Sequence, residues 1–247
     1  MRREQAHRFL HYSPELEQAT ARLYITGDEH HHLHRVLRTR SGDSAYVTNG
    51  RGLLVRATVE SIDDAGATMG VEGVVEHRTV PERVTLALAC LKKEAFEQAV
   101  KQCTELGITR CLPFIAARSH VREYSEVTFE RLRRIALSAM KQSFRSILPS
   151  IESVVSFEGL LEEASGHSLV IAGEADAPPL AVEAPGGSLL LVVGPETGFT
   201  AGEVGRLEGR GCRFRSVSNH RLRSETAAAA LVSALLSPSA DRGGGAV

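Results

Sequence analysis

The length, composition and charge are those of an ordinary soluble globular protein. The chain has 247 residues, of which 43% are hydrophobic and 24% charged, and its formal net charge is −1. No apolar run approaches the roughly 20 residues that span a bilayer, and the first residues, MRREQAHRFL, lack the apolar core of a signal peptide. We therefore expect a cytoplasmic protein without a membrane-spanning helix.

The first part of the chain has the pattern of a small β-rich unit. Short β-prone runs lie at 45–49, 53–59 and 67–75. Between the first two, Asn49 and Gly50 supply the pair of positive φ angles that a tight hairpin favours. Residues 76–82 contain a proline and no periodicity, which indicates a linker. We therefore expect two domains, 1–77 and 78–247.

The second part of the chain alternates between strand and helix patterns. Strands are expected at 84–90, 111–115, 169–172, 189–193 and 214–217, and helices at 94–106, 128–143, 157–163, 201–209 and 225–236. This alternation predicts an α/β domain with a mostly parallel sheet, whose ligands bind at the carboxyl ends of the strands. From about residue 237 the composition is typical of a disordered tail.

Two short turns near the C-terminus have the pattern of a ligand site. GPETGF (194–199) follows the strand run LLLVV, and SNHRLRSETAAAA (218–230) follows FRSV. Glycine and hydroxyl turns between a strand and a helix expose backbone groups against which a flat ligand can lie. Thr200 and Glu203 have capping-box spacing, which leaves GPETGF as an exposed loop. The pair predicts a nucleotide-like pocket, although GPETGF alone is also compatible with a simple tight turn.

Arginine is concentrated in two stretches of the chain. Residues 118–145 contain six arginines and one lysine against three glutamates, and residues 206–223 contain six arginines against one glutamate. Because arginine contacts phosphate through two parallel hydrogen bonds, these clusters favour an RNA or DNA partner. For Arg131, Arg133 and Arg134 the alternative is a solvated helix face.

Neither the cysteines nor the histidines predict a metal site. The cysteines at 90, 103, 111 and 212 have no CxxC spacing and are expected to be buried, reduced thiols. His30 and His34 have the spacing of one helical face, within a cluster that also includes His31 and His32. No further ligands complete a zinc spacing, so we expect a structural or RNA-facing role and no metal.

Six segments, in order along the chain, are similar to segments of one known family. They are HHLHRVLRTRSGD (31–43), KQCTELGITRCLPF (101–114), ARS (117–119), KQSFRSILPSI (141–151), GPETGF (194–199) and HRLRSETAAAA (220–230). The last two resemble the GPEGGF loop and the RILRTETA segment of the RsmE-type 16S ribosomal RNA (uridine-N3)-methyltransferases of the SPOUT superfamily. Ordered matches over most of the chain make chance similarity improbable.

The resemblance implies a fold and an activity. The fold is a PUA-like β-barrel at 1–77 that binds RNA, followed by a SPOUT-type α/β domain at 78–247 whose C-terminal segment forms a trefoil knot. The knot rests on the resemblance alone, because knots are rare and periodicity does not reveal them. The implied activity is that of a homodimer that binds S-adenosylmethionine and methylates N3 of a uridine in 16S ribosomal RNA of the small ribosomal subunit.

The resemblance also implies which residues form the site. The implied cofactor-binding residues are Ala172, Gly173, Gly194, Pro195, Glu196, Thr197, Gly198, Val217, Ser218, Leu222, Ser224, Thr226 and Ala227. The implied RNA-binding residues are Arg38, Arg118, Gln142 and Arg145.

The chemistry of uracil suggests the catalytic candidates. N3 of uracil carries a proton, so methylation needs a base or a nearby positive charge that favours the anion. Arg223, inside the second turn, is the first candidate for stabilising charge on a uracil oxygen or holding a phosphate. Glu196 and Glu225 are the carboxylates of the two turns, but carboxylates at helix starts commonly cap backbone N–H groups. No base is assigned.

Two residues depart from the family pattern. Thr197 stands where the family has glycine, which adds a Cβ to a loop that needs a positive φ or close ligand approach. Ser218 likewise stands in place of glycine. Weaker cofactor binding would leave a non-catalytic RNA-binding or ribosome-assembly factor. The second alternative is a SPOUT methyltransferase that acts on another RNA atom.

Overall fold

The computed structural model describes residues 10–78, 84–180 and 187–236, and these form two compact units. The described residues of the first unit fall within Met1–Pro81 and Leu137–Leu148, and those of the second within Glu82–Ala136 and Pro149–Val247. The predicted tail from about 237, and most of the predicted linker, lie outside the described residues.

A five-stranded sheet forms the first unit. Its strands are β1 (Leu10–Tyr12), β2 (Arg22–Ile25), β3 (Ser44–Thr48), β4 (Leu53–Ile62) and β5 (Ala67–His77), in the order β1-β3-β4-β5-β2. β1 pairs with β3 in parallel, and all other neighbours are antiparallel. Alternating residues such as Val47, Val55 and Val59 are buried in one core with Leu33 and Met69. The three predicted β-prone runs are confirmed, and β1 and β2 were not predicted.

The connection between β3 and β4 differs from the predicted tight hairpin. Gly50 and Gly52 have positive φ angles of 70° and 104°, whereas Asn49 does not have a positive φ. Instead, Asn49 Oδ1 accepts hydrogen bonds from the backbone N–H groups of Arg51 at 2.8 Å and Leu53 at 3.2 Å. The result is a four-residue loop, because the asparagine side chain supplies the turn that the backbone was expected to make.

The start of the predicted linker is also wrong. Glu76 and His77 belong to β5, where they pair with Leu54 and Leu53 of β4. The strand continues because its antiparallel neighbour satisfies its backbone groups, and a local pattern contains no information about that neighbour.

The histidine cluster lies on helix α1 (Gly27–His31) and the π-helical turn that follows it (His32–Val36). The rings of His30 and His34 lie 5.4 Å apart, so the predicted shared face is confirmed. His30 Nε2 lies 2.8 Å from the carbonyl oxygen of Asp63. Within 10–78, 84–180 and 187–236, no group of three or more side chains is placed to hold a metal ion.

A six-stranded parallel sheet forms the second unit and confirms the predicted α/β class. The strands are β6 (Val84–Ala89), β7 (Arg110–Phe114), β8 (Ser150–Ile151), β9 (Leu169–Gly173), β10 (Leu189–Val193) and β11 (Arg213–Arg215), in the order β11-β9-β10-β6-β7-β8. The helices are α2 (Lys93–Leu106), α3 (Glu126–Gln142), α4 (Phe157–Ala164), α5 (Ala201–Glu208) and α6 (Ser224–Leu236). The last residues of α3, 137–142, count with the first unit.

The two central strands of this sheet are hydrophobic except for Thr85, as is typical of parallel strands that helices cover on both faces. Every residue of β6 and β10 is buried. Helix α6 packs against α2 and against β6, β9 and β10. The register is continuous, with Leu189 of β10 opposite both Val84 of β6 and Leu169 of β9. Gly173 at the end of β9 pairs with Val193 of β10 and with Arg215 of β11, so the carboxyl ends of the three strands are level and the segments that follow them lie at the same edge of the sheet.

The cysteines are free and buried, as predicted. Burial raises the pKa of the thiols of Cys90, Cys111 and Cys212 to about 12. Thiols with such pKa values are protonated near neutral pH, so they pack as small hydrophobic side chains. Among the helices that the structure describes, none has the length and apolar character needed to cross a membrane.

Candidate functional site: a pocket between two turns

A pocket that is partly open to solvent lies at the carboxyl ends of β9, β10 and β11. Its walls are the segment after β9, the two predicted turns and the start of α6. Ten of the predicted cofactor-binding residues line it: Gly173, Gly194, Pro195, Glu196, Gly198, Val217, Ser218, Leu222, Ser224 and Ala227. The location follows the general rule that ligands of parallel sheets bind beyond the carboxyl ends of the strands.

Three predicted residues do not line this pocket. Ala172 is fully buried within β9, and Thr226 is exposed on the first turn of α6. Thr197 lines a neighbouring open surface pocket with residues 117–120.

Six lining residues were not predicted: Glu174, Ala175, Val193, Ser216, His220 and Arg221. All lie within two residues of a predicted position. Extending the predicted site by two residues at the end of each predicted strand would have included most of them.

The first turn is built around a β-turn from Pro195 to Gly198. The Gly198 N–H donates to the Pro195 carbonyl at 2.9 Å, and Gly198 has a φ of +73°. A Cβ on Gly194 would lie 2.9 Å from the ring of Phe199, so glycine permits the ring to pack over the turn. That ring is stacked on Phe114 of β7 with centroids 6.3 Å apart. The strand end and the aromatic pair therefore fix the path of the main chain.

The predicted capping box follows the first turn and is confirmed. The Glu203 N–H donates to Thr200 Oγ1 at 3.2 Å, and the Thr200 N–H donates to Glu203 Oε2 at 2.8 Å. Glu203 is buried, and its other oxygen, Oε1, accepts from the Ala117 N–H at 2.7 Å. The carboxylate thus starts α5 and also holds the loop that follows β7.

The second turn is held mainly by its own hydroxyl groups. Ser216 Oγ donates to the Ser218 carbonyl at 2.7 Å, and Ser218 Oγ accepts from the His220 N–H at 3.0 Å. Arg221 Nη2 donates to the Glu196 carbonyl at 3.1 Å. This last bond joins the two turns, which both line the pocket.

The backbone strain expected at Thr197 is not present. Its φ is not positive, whereas that of the next residue, Gly198, is. The Thr197 hydroxyl donates to the carbonyl of Arg118 at 3.2 Å and is not part of the pocket wall. The neighbouring glycine takes the left-handed conformation, so the extra Cβ is accommodated. Ser218, by contrast, does line the pocket.

Comparisons with known proteins agree with this arrangement. A family model described as the RNA methyltransferase domain matches residues 78–236, and one described as the RNA methyltransferase PUA domain matches residues 25–68. A Synechocystis sp. protein named ribosomal RNA small subunit methyltransferase E is 32% identical over 226 residues, which cover 87% of this chain and 74% of that protein. The chain belongs to this family.

Further relatives of the methyltransferase E family support the assignment over nearly the full chain. The protein of the same name from Bacillus subtilis is 32% identical over 225 residues, 85% of this chain and 88% of that protein. The crystal structure of the Neisseria gonorrhoeae protein bound to S-adenosyl methionine matches with a TM-score of 0.81 and 25% identity. That match covers 92% of this chain and 96% of the other. The expected PUA-like domain followed by an α/β methyltransferase domain is confirmed.

The arginines of this methyltransferase differ in how far they are already engaged. Arg131 makes two hydrogen bonds with Glu97, and Arg133 donates to Glu126 at 2.6 Å, so the solvated helix face describes both. Arg118 Nη1 donates to the carbonyls of Thr197 at 3.2 Å and Phe199 at 3.4 Å. These contacts fasten the first turn to the loop after β7.

Arg223 is the candidate whose side chain is free. It is exposed, lies between the lining residues Leu222 and Ser224, and its guanidinium makes no hydrogen bond or ion pair with any described residue. Of the two candidate carboxylates, Glu196 is exposed and lines the pocket, whereas Glu225 is buried and does not line it.

The other three RNA-binding candidates belong to the first unit. Arg38 is exposed and has a φ of +54°, and Gln142 is exposed at the end of α3. Burial, together with the charge of Arg78, lowers the pKa of Arg145 to about 10. Arg145 therefore remains a cation at neutral pH.

Proposed function

We propose that this protein transfers a methyl group from S-adenosylmethionine to N3 of a uridine in 16S ribosomal RNA. The observation that carries the proposal is the pocket between the two turns, in a chain that belongs to the ribosomal RNA small subunit methyltransferase E family. A relative of the same name was crystallised with S-adenosyl methionine bound. The choice of uridine N3 rests on the resemblance of the two turns to the family segments.

The pocket fits a cofactor of this kind. It lies beyond the carboxyl ends of parallel strands, where ligands of such sheets bind, and both apolar side chains and polar groups line it. Glycines at 173, 194 and 198 leave backbone groups open to a flat ring, and Val193, Val217 and Leu222 supply apolar contacts. These are the features that an adenosine group with a polar amino-acid tail requires.

The residues of this chain would act mainly by positioning. Bound S-adenosylmethionine supplies an already activated methyl group, so alignment and exclusion of water account for much of the catalysis. The side chain of Arg223, which lies in the chain between the lining residues Leu222 and Ser224, would stabilise negative charge on a uracil oxygen. Glu196, the exposed carboxylate of the first turn, is the candidate to accept the N3 proton.

The proposed RNA contacts lie in both units of the protein. Arg38, Gln142 and Arg145 would contact RNA from the first unit, while Arg118 is engaged with the first turn. We include the homodimer, the cytoplasmic location and the trefoil knot implied by the resemblance. The knot rests on that resemblance alone. Light scattering on the purified protein tests the dimer.

Titration calorimetry with S-adenosylmethionine is the first test. The parent protein is expected to bind it saturably, and Ala227→Leu, which places a larger side chain in the pocket wall, is expected to abolish binding. Ala201→Leu, at an exposed position of α5 outside the pocket, is the matched control and should bind as the parent does. Absence of binding by the parent would favour the non-catalytic RNA-binding alternative.

Methyl transfer to unmodified small-subunit RNA is the second test. A methyl group at uracil N3 removes the donor used in base pairing, so reverse transcription should stop beside the modified uridine. Arg223→Ala is expected to lower kcat by about 10²-fold, as loss of a charge-stabilising group commonly does. Transfer without a reverse-transcription stop would instead point to ribose or another base atom as the target.

A further inference from the structure

Two loops of the second unit bind each other through a reciprocal pair of hydrogen bonds. Thr197 Oγ1 donates to the Arg118 carbonyl at 3.2 Å, and Arg118 Nη1 donates to the Thr197 carbonyl at 3.2 Å. The same nitrogen lies 3.4 Å from the Phe199 carbonyl. Each residue thus offers its side chain to the backbone of the other. We refer to these three bonds as the Thr197–Arg118 clamp.

The clamp lies on the outer side of the pocket wall. Glu196 and Gly198 line the pocket, while Thr197 between them lines the open surface pocket with residues 117–120. The hydroxyl therefore does not compete with a ligand for space. The bond from the Thr197 hydroxyl holds the middle of the first turn on the side away from the pocket, between the lining residues Glu196 and Gly198.

A second tie reinforces the same pair of loops. Glu203 accepts from the Ala117 N–H at 2.7 Å and caps α5 directly after the first turn. The turn is thus held at its end by a buried carboxylate and at its middle by the clamp. A glycine at position 197 would keep the carboxylate tie and the bond from Arg118, but it would lack the hydroxyl that completes the pair.

We propose that Thr197 is a positioning residue of the methyltransferase, which holds the first turn in its cofactor-binding conformation through Arg118. The inference deepens the proposed function and rests on it for the identity of the cofactor. In this role Arg118 orients the pocket wall through Nη1. The threonine replaces the conformational freedom of a glycine with a fixed contact, which lowers the ordering cost of binding.

Hydrogen–deuterium exchange of residues 194–200 in the ligand-free protein tests the clamp directly. The protected amides there include those of Gly198 and Thr200. Thr197→Val removes the hydroxyl with little change of shape and should speed exchange about three- to tenfold, the equivalent of one hydrogen bond. Thr197→Ser keeps the hydroxyl and should restore slow exchange. Thr128→Val, which removes a hydroxyl bonded to Ser125, is the matched control.

Binding of S-adenosylmethionine then tests whether the clamp positions the pocket wall. Thr197→Val should raise the Kd and KM for S-adenosylmethionine about three- to tenfold with little change in kcat, and Thr197→Ser should not. Combining Thr197→Val with Arg118→Met should cost no more affinity than the stronger single change. Exchange and affinity in Thr197→Val equal to those of the parent would overturn the inference. Failure of the parent to bind the cofactor would contradict the proposed function, while the exchange data would still show whether the clamp exists.

Discussion

The two turns that line the pocket are held in different ways. The first turn (194–199) is fastened to other elements: to the loop after β7 through Arg118, and at its end to α5 through Thr200 and Glu203. The second turn (218–223) is bonded by the hydroxyls of Ser216 and Ser218; its start is held at Ser216, which pairs with residues 178–180, and Arg221 links it to the first turn. Contacts with distant elements restrict a loop more than local ones, so we expect the first turn to be the preformed wall and the second to adapt to the ligand.

The largest effect is expected from loss of the Glu203 carboxylate. Glu203→Ala removes the capping box and leaves the Ala117 N–H without its acceptor, which should lower the free energy of unfolding by about 3 kcal/mol. Urea denaturation measures the change. Glu208→Ala, at an exposed position of the same helix, should change it by less than about 0.5 kcal/mol. Equal losses in both variants would show that the first turn is not anchored by Glu203.

A smaller effect is expected from a Cβ at Gly198. Its φ of +73° is unfavourable for other residues, so Gly198→Ala should cost about 1–2 kcal/mol of unfolding free energy and weaken S-adenosylmethionine binding. Gly202→Ala, in helix α5, is the matched control. Its added Cβ would have no atom within 4 Å, and because alanine favours helices the substitution should stabilise the protein by up to about 1 kcal/mol. A neutral Gly198→Ala would mean that the turn is not rigid.

The link between the two turns should affect binding more than folding. Arg221→Ala removes the bond to the Glu196 carbonyl, and we expect a three- to tenfold weaker affinity for S-adenosylmethionine, about the effect of one hydrogen bond. Thermal unfolding should be unchanged. Arg210→Ala, which removes an exposed bond to Ser165, should alter neither quantity. If Arg221→Ala binds S-adenosylmethionine as tightly as the parent, the bond between the two turns does not contribute to cofactor binding.

The smallest effect is expected within the second turn. Ser218→Ala removes one local hydrogen bond from the His220 N–H and should lower the unfolding free energy by less than about 1 kcal/mol. Affinity for S-adenosylmethionine, measured by calorimetry, should fall no more than about twofold, because the turn adjusts to the ligand. If Ser218→Ala lost more affinity than Gly198→Ala, the second turn rather than the first would be the more rigid wall of the pocket.

Local chemistry explains which features were predictable. The capping box of α5 joins residues three apart, and the run LLLVV is long and hydrophobic enough to indicate a buried strand. Strand β8 has only two residues and β1 only three, so their pairing with β7 and β3 depends on neighbours distant in the chain. The hairpin between β3 and β4 formed, but not with the tight turn predicted at Asn49, because a side chain rather than two backbone angles closed the loop.

The candidate site shows the same division. The two turns were predicted because their glycines and hydroxyl residues suit turns between strands and helices, and ten of the thirteen cofactor residues that the family resemblance implied line the pocket. The outward direction of Thr197 was not predicted, since it depends on the Arg118 carbonyl, 79 residues away in the chain. The exposure of Arg223 and the engagement of Arg118 also depend on contacts that residue type does not reveal.

The sequence by itself determined the α/β alternation, the β-rich first unit, the buried thiols and the two turns, because each follows from residue type and short-range spacing. Only the tertiary structure decided which residues of the two turns line the pocket, that Thr197 faces away from it and that Arg118 holds its wall. These features depend on the level register of β10, β9 and β11 and on hydrogen bonds between distant residues. A one-dimensional pattern specifies such bonds only after the sheet has brought the partners together.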